Sequence, residues 1–151
     1  MIHLQNKSEL GGSNMFTKRN SVLFISYIIV TFILAYIWHL EIFGSAYAEL
    51  GISSLRPEPI FQFGLLAIII HAVIFTYFFA EFFEPKANLA SALKLSLGLG
   101  AVITAYAALS VPAKFEIEPA SHYVWLELVF GVIHYSVIGL LYYTLSKRLT
   151  T

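Results

Sequence analysis

Three ionisable side chains inside long apolar stretches are the residues with the clearest capacity for chemistry. They are His71, Glu127 and His134. Because such groups are costly in hydrocarbon, they usually face a protein interior and mark a functional position. A carboxyl group and two imidazoles could bind a small ligand, hold a metal or carry a proton. We therefore treat these three residues as polar intramembrane candidates.

Glu127 and His134 lie on one face of a helix, because seven residues separate them. Glu127 would sit about 7–8 Å below the outer edge of its span. A carboxyl at that depth is expected to face other helices, either as a structural hydrogen-bonding group or as part of a pocket that opens outward. Its candidate partners are His39, Arg56, Tyr106 and His134.

His71 and His134 are predicted at similar depths in two different helices. His71 follows the start of one span by eleven residues, and His134 follows the start of another by twelve. At 1.5 Å per residue, both rings would lie about 16–18 Å from the outer edge. They could ligate a haem or a metal between them, although metals usually take three or four ligands. The alternative is that each ring is neutral and hydrogen-bonded to a neighbouring helix, so no cofactor is predicted.

Four apolar runs have the length of membrane-spanning helices, about 20 residues. They predict spans at 21–43, 60–83, 91–111 and 122–146. All five prolines, which would break a helix, lie outside these spans. The short connections favour antiparallel neighbours. The sequence therefore predicts an all-α membrane protein, a four-helix antiparallel transmembrane bundle.

Composition agrees with a membrane protein and excludes several other classes. The 151 residues are 58% hydrophobic and 12% charged, and their nine basic and nine acidic residues cancel. This balance gives no indication of nucleic acid binding. The absence of cysteine excludes disulfides, thiolate metal sites and cysteine nucleophiles. No motif typical of an enzyme occurs, which favours a non-enzymatic protein.

Lys and Arg residues predict the orientation. Seven of them fall on one side of the four spans and only Arg56 and Lys114 on the other. By the positive-inside rule, both the N and the C terminus face the cytoplasm. Residues 1–20 are then a disordered cytoplasmic leader ahead of a transmembrane domain at 21–148, with Met1 or Met15 as the start. An alternative, a cleaved signal ending at Ala46-Tyr47-Ala48, is disfavoured because the first apolar run is too long.

Small residues recur every fourth position along the third span. In lipid, such a face lets two helix backbones approach closely. The simpler interpretation is packing within the bundle. The other is an interface with a second copy or with a membrane-complex partner. The residues concerned are Ser96, Gly100, Thr104 and Ala108.

Several short segments resemble a family of small bacterial membrane proteins. The likeness lies in Gly64-Leu65-Leu66, Tyr77, Glu84-Pro85, Ala105-Tyr106-Ala107-Ala108, Leu126-Glu127 and Gly139. That family has four transmembrane helices and a domain of unknown function, so the resemblance implies the same fold and topology and no activity. It has Glu at the position of Glu127 but commonly Gln where His71 and His134 stand, which implies polar positions rather than haem ligands.

These observations predict a multi-pass protein of the bacterial cytoplasmic membrane, surrounded by the lipid bilayer. The favoured function is an accessory subunit or a small-ligand-binding bundle with a polar interior near Glu127, His71 and His134. One alternative is a haem- or metal-binding redox subunit that uses His71 and His134. A further alternative is a small carrier.

Overall fold

The chain folds into helices. The computed structural model describes residues 17–52, 60–83 and 88–149. Of this part 87% is helical and none of it forms a strand, which confirms the all-α prediction. Along the described residues the elements are α1 (Lys18–Tyr36), a π-helical segment (Ile37–Ile42), α2 (Gly44–Glu49), α3 (Phe61–Phe82), α4 (Leu89–Ser110) and α5 (Ala120–Leu149).

Four helices are long and apolar enough to cross a membrane. They are α1 with the π-helical segment, α3, α4 and α5. Their outward faces carry large apolar side chains such as Phe63, Val102 and Trp125, which are 65–73% exposed. Water would not stabilise so many exposed apolar groups, whereas lipid solvates them and the helices satisfy their own backbone. The fold therefore fits a membrane protein.

The helices α1 and α4 begin earlier than the apolar runs suggested, because polar residues cap them. The Thr17 hydroxyl accepts a hydrogen bond from the Asn20 N–H at 3.2 Å, so α1 begins at Lys18. The Asn88 side chain accepts one from the Ser91 N–H at 3.0 Å, so α4 begins at Leu89. Each cap satisfies a backbone donor that the helix leaves unpaired.

α5 is the central helix. It packs along its length against α4 and also against α1, whereas α3 and α4 touch at only a few points. Aromatic side chains join α3 to α5: Phe75 stacks on Tyr135 at 5.3 Å, and Phe79 meets Tyr142 edge to face at 4.7 Å. These buried rings belong to the main core cluster, which lies towards the chain ends of the bundle.

A second, smaller core cluster lies at the other end of the bundle. Here α2, which the sequence analysis treated as a loop, packs against the start of α5. Tyr47 is only 7% exposed and anchors this short helix. The remaining buried members of the cluster are Leu50, Ile117, Tyr123 and Leu126.

Some predictions fall outside the described residues. They concern Arg56, Met1, Met15, the Glu84-Pro85 pair and residues 1–16 of the proposed leader. The last part of that leader was predicted wrongly, because residues 18–20 already belong to α1.

Candidate functional site

The carboxylate of Glu127 joins three elements at the α2 end of the bundle. Its Oε1 atom lies 2.8 Å from the Tyr47 hydroxyl, which donates a hydrogen bond to it. The same oxygen lies 3.3 Å from His39 Nε2. Glu127 is on α5, Tyr47 is on α2 and His39 is in the π-helical segment. We call these three residues the Glu127 cluster.

The π-helical segment positions His39. In this wider turn the Phe43 N–H bonds to the Trp38 carbonyl, five residues back, instead of the α-helical four. The His39 ring is held on one side by the Ala35 carbonyl, 3.0 Å from Nδ1. Such segments are rare and frequently occur at functional sites. The apolar run predicted an uninterrupted α-helix here, so the change of helix type is a finding of the structure.

Aromatic rings enclose the Glu127 cluster. The His39 ring lies 5.0 Å from the Tyr47 ring and 4.7 Å from the Phe130 ring, which it meets edge to face. Glu127 is 14% exposed and His39 is 32% exposed, so the pair is mostly withdrawn from solvent. Burial raises the pKa of the Tyr47 hydroxyl, and the adjacent Glu127 carboxylate raises it further. Tyr47 therefore remains a hydrogen-bond donor.

Tyr47 is the member of this cluster that sequence reasoning missed. It was considered only as part of the Ala46-Tyr47-Ala48 signal-like triplet, since residues 44–49 had no apolar run of membrane length. The local sequence did indicate this helix, because a tyrosine among small residues is suited to a short helix that buries one ring. Its distance of eighty residues from Glu127 in the chain hid the contact.

His134 contacts α1 and not the Glu127 carboxylate. Its Nε2 atom lies 2.9 Å from the Thr31 hydroxyl of α1, not at the Glu127 carboxylate. The residue is 4% exposed, and its ring stacks on Phe130 at 5.3 Å. This agrees with the simpler alternative, a ring hydrogen-bonded to a neighbouring helix. Phe130 thus lies between the imidazoles of His134 and His39.

His71 is half-buried on α3. It is close enough to His134 for the two rings to interact electrostatically, as His39 also does with His134. The three imidazoles therefore belong to one region of the interior. Hydrogen bonds do not link them to one another among the described residues.

The packing of His134 does not fit a haem ligand. An axial ligand must direct a ring nitrogen at iron across a flat cavity, but Nε2 of His134 is directed at Thr31. The ring is also enclosed by Phe130, Tyr135 and Tyr27 at 4.5–6.1 Å. Within the described residues, no three His or Glu side chains gather closely enough to hold a metal ion. We therefore derive no redox chemistry from His71 and His134.

One other proposed partner of Glu127, Tyr106, does not lie beside it. Tyr106 is 70% exposed on α4, and the hydrogen bonds of the carboxylate go to His39 and Tyr47 in the part that the structure describes. The rotational position of Tyr106 on α4 directs its side chain to the surface of the bundle. Arg56 lies outside the described residues.

The stripe of small residues on α4 packs against α5. The Ser96 hydroxyl donates a 2.6 Å hydrogen bond to the Tyr135 carbonyl, Gly100 lies under the Tyr135 ring, and Thr104 lies against Gly131. Ser96 and Ala108 have no exposed area. Ser96, Gly100 and Thr104 therefore contact the chain's own α5, and this packing fits the simpler interpretation of the stripe.

A groove of about 450 Å³ runs between α1 and α3 beside the cluster. Its lining is mainly apolar and includes His39, Phe61 and Gly64. His39 therefore contacts Glu127 and also lines this groove. The imidazole links the polar cluster to the outer surface of the bundle.

No protein-family model, no curated protein and no solved structure matches the chain. The function must therefore be argued from the Glu127 cluster itself.

Proposed function

We propose that this chain is a non-enzymatic membrane protein that binds a small ligand through the Glu127 cluster, near the outer face of the membrane. The observation that carries the proposal is that the two oxygens of the carboxylate differ in the hydrogen bonds they accept. Both of its hydrogen bonds, from Tyr47 and His39, end on Oε1, and Oε2 receives none from the described residues. A carboxylate can accept about four hydrogen bonds, so acceptor capacity remains for a ligand.

The chemistry of the cluster defines the class of ligand. A carboxylate oxygen accepts hydrogen bonds, so the ligand must present an N–H or O–H group, such as an ammonium or a hydroxyl. The adjacent groove between α1 and α3 is apolar and borders His39. It would accommodate an apolar part of the same ligand, which suits a small amphipathic molecule.

The proposal includes an antiparallel arrangement with both termini in the cytoplasm of a bacterium. The contacts of α4 with α5 support the antiparallel order, since Ser96 meets Gly139 while Thr104, further along α4, meets Gly131, earlier along α5. The excess of Lys and Arg near the chain ends and the α3–α4 connection supports the orientation. Membership of the small four-span bacterial family remains part of this proposal.

Native mass spectrometry of the protein in mild detergent tests the proposal. We compare the wild type with Glu127→Gln and with a control, Glu116→Gln, which changes an exposed carboxylate of the α4–α5 connection. A small molecule should remain bound to the wild type and to the control. The affinity of Glu127→Gln for this molecule should fall about tenfold or more, and its occupancy with it, because a hydrogen bond to a charged group contributes about 1.5–3 kcal/mol.

Two outcomes would contradict the ligand proposal. One is equal occupancy in Glu127→Gln and the wild type. The other is a second protein at fixed stoichiometry with no small molecule, which would instead identify an accessory subunit.

A further inference from the structure

The hydrogen bonds of His39 fix the position of one proton on its ring. Nδ1 lies 3.0 Å from the carbonyl oxygen of Ala35. A carbonyl oxygen can only accept, so Nδ1 must carry the hydrogen and donate it. In a neutral imidazole the other nitrogen, Nε2, then has a lone pair and no hydrogen.

That lone pair cannot by itself explain the contact with Glu127. Nε2 lies 3.3 Å from Oε1, and an ionised carboxylate is also only an acceptor. Tyr47 donates to the same oxygen, which does not supply the missing hydrogen between Nε2 and Oε1. Two lone pairs at this distance repel each other. The contact therefore requires one more proton than a neutral histidine and a carboxylate contain.

We propose that His39 and Glu127 bind one proton between them, and that this proton holds the outer cap against α5. The outer cap is the π-helical segment and α2, Ile37–Ile42 and Gly44–Glu49. The proton resides either on Nε2, giving an imidazolium and a carboxylate, or on Oε1, giving a neutral ring and a carboxylic acid. Both forms make the bond and both leave the pair with no net charge.

The hydrogen bond of this pair matters for the outer cap because the cap otherwise contacts α5 mainly through apolar side chains. Among the described residues, both hydrogen bonds between the outer cap and α5 end on Glu127 Oε1. Loss of the proton would replace one of them by repulsion and would leave only the bond from Tyr47. This inference goes beyond the proposed ligand binding and does not depend on it.

Titratable groups from three helices surround the pair. Tyr47 of α2 and Tyr123 of α5 interact electrostatically with Glu127. His134 of α5 interacts with His39, and His71 of α3 interacts with His134. Tyr47 remains a donor because burial raises its pKa. A positive charge on His134 would oppose the proton at His39.

The expected dependence on pH has one direction. In acid a second proton produces an imidazolium beside a carboxylic acid, and Nε2 still donates to Oε1. The contact therefore persists from acidic pH up to the pH at which the shared proton leaves. Above that point the two lone pairs face each other and the cap loosens. Raising the pH, not lowering it, should open the outer end.

Paired spin labels measure this opening. The chain contains no cysteine, so Ala48→Cys in α2 and Ser121→Cys in α5 give two unique and exposed labelling sites. In lipid nanodiscs, the wild-type background should give a short and narrow distance distribution at low pH. As the pH rises and the shared proton leaves, the distribution should become longer and broader.

Substitutions at Glu127 provide the matched controls. In Glu127→Gln the amide N–H donates to the neutral Nε2 without an extra proton, so the distance should stay short at every pH. In Glu127→Leu no bond forms, so the distance should be long at every pH. If the leucine variant does not fold, as judged by its circular dichroism, the comparison of wild type with Glu127→Gln decides alone.

Two results would overturn the inference. The first is a wild-type distance that does not change with pH. The second is a Glu127→Gln variant that follows the wild-type pH curve, since the proton would then lie elsewhere. Failure of ligand binding is distinguishable, because it is measured by bound mass and not by the position of the cap.

Discussion

Two fully buried tyrosines differ in what their hydroxyl groups do. The Tyr142 hydroxyl lies 3.1 Å from the Thr76 hydroxyl, and the two form a hydrogen bond across the interface of α5 and α3. The Tyr27 hydroxyl makes no hydrogen bond to a described residue. Both rings pack in the main core, Tyr27 against Phe75 at 5.0 Å. A buried hydroxyl stabilises a protein only when it is hydrogen-bonded. The Tyr142 hydroxyl should therefore increase the free energy of unfolding, whereas the Tyr27 hydroxyl should not.

Removing each hydroxyl while keeping the ring tests this difference. Tyr142→Phe should lower the free energy of unfolding by about 1 kcal/mol, because it leaves Thr76 without its partner on α5. Tyr27→Phe should leave stability unchanged or raise it slightly. Reversible unfolding in mixed detergent micelles measures both. Equal losses for the two variants would show that the Tyr27 hydroxyl is also hydrogen-bonded.

At the scale of elements, the close approach of α4 to α5 depends on glycine. A Cβ atom on Gly100 would overlap the Tyr135 ring, and one on Gly131 would overlap the Thr104 side chain. This closeness allows the Ser96 hydroxyl to reach the Tyr135 carbonyl at 2.6 Å. In lipid, packing of this kind replaces the hydrophobic effect as the force between helices.

Gly100→Ala should therefore separate the two helices. We expect a loss of about 1–3 kcal/mol in the free energy of unfolding, because the added methyl group displaces the Tyr135 ring. Gly98→Ala is the matched control on the same helix, since a Cβ there meets nothing within 4 Å. It should be neutral or slightly stabilising. Similar losses for both variants would contradict tight packing at Gly100.

At the scale of the whole molecule, the question is how the four helices lie relative to the membrane. The number of membrane-length helices follows from their length and apolar composition. Their direction is the proposal made above, with α2 and the Glu127 cluster at the outer face. Lys114, in the connection between α4 and α5, should then lie outside.

Labelling of single cysteines in intact cells measures this orientation without removing any native cysteine, since the chain has none. Lys114→Cys should react with a membrane-impermeant maleimide. Thr151→Cys at the C terminus should react only after the cells are permeabilised. The reverse pattern would place the Glu127 cluster on the cytoplasmic side, and the proton would then be exchanged with the cytoplasm.

Local features of the sequence predicted most of the helical architecture. The four spans agree with the observed helices because apolar length is a property of neighbouring residues. The predicted ends differ by a few residues where Thr17 and Asn88 act as caps. The π-helical segment was not predicted, because it lies within the first apolar run and does not interrupt it. The short helix α2 was not predicted, because it follows that run and has no apolar run of its own.

The sequence by itself determined that Glu127 is an unusual carboxyl in an apolar helix and that His39 was among its candidate partners. Only the tertiary structure decided that His39 and Tyr47 contact it, across 88 and 80 positions of the chain, while His134 bonds to Thr31 and Tyr106 faces away. Hydropathy depends on composition along one helix, whereas these contacts depend on how each helix is rotated against the others, which the packing of all side chains sets together.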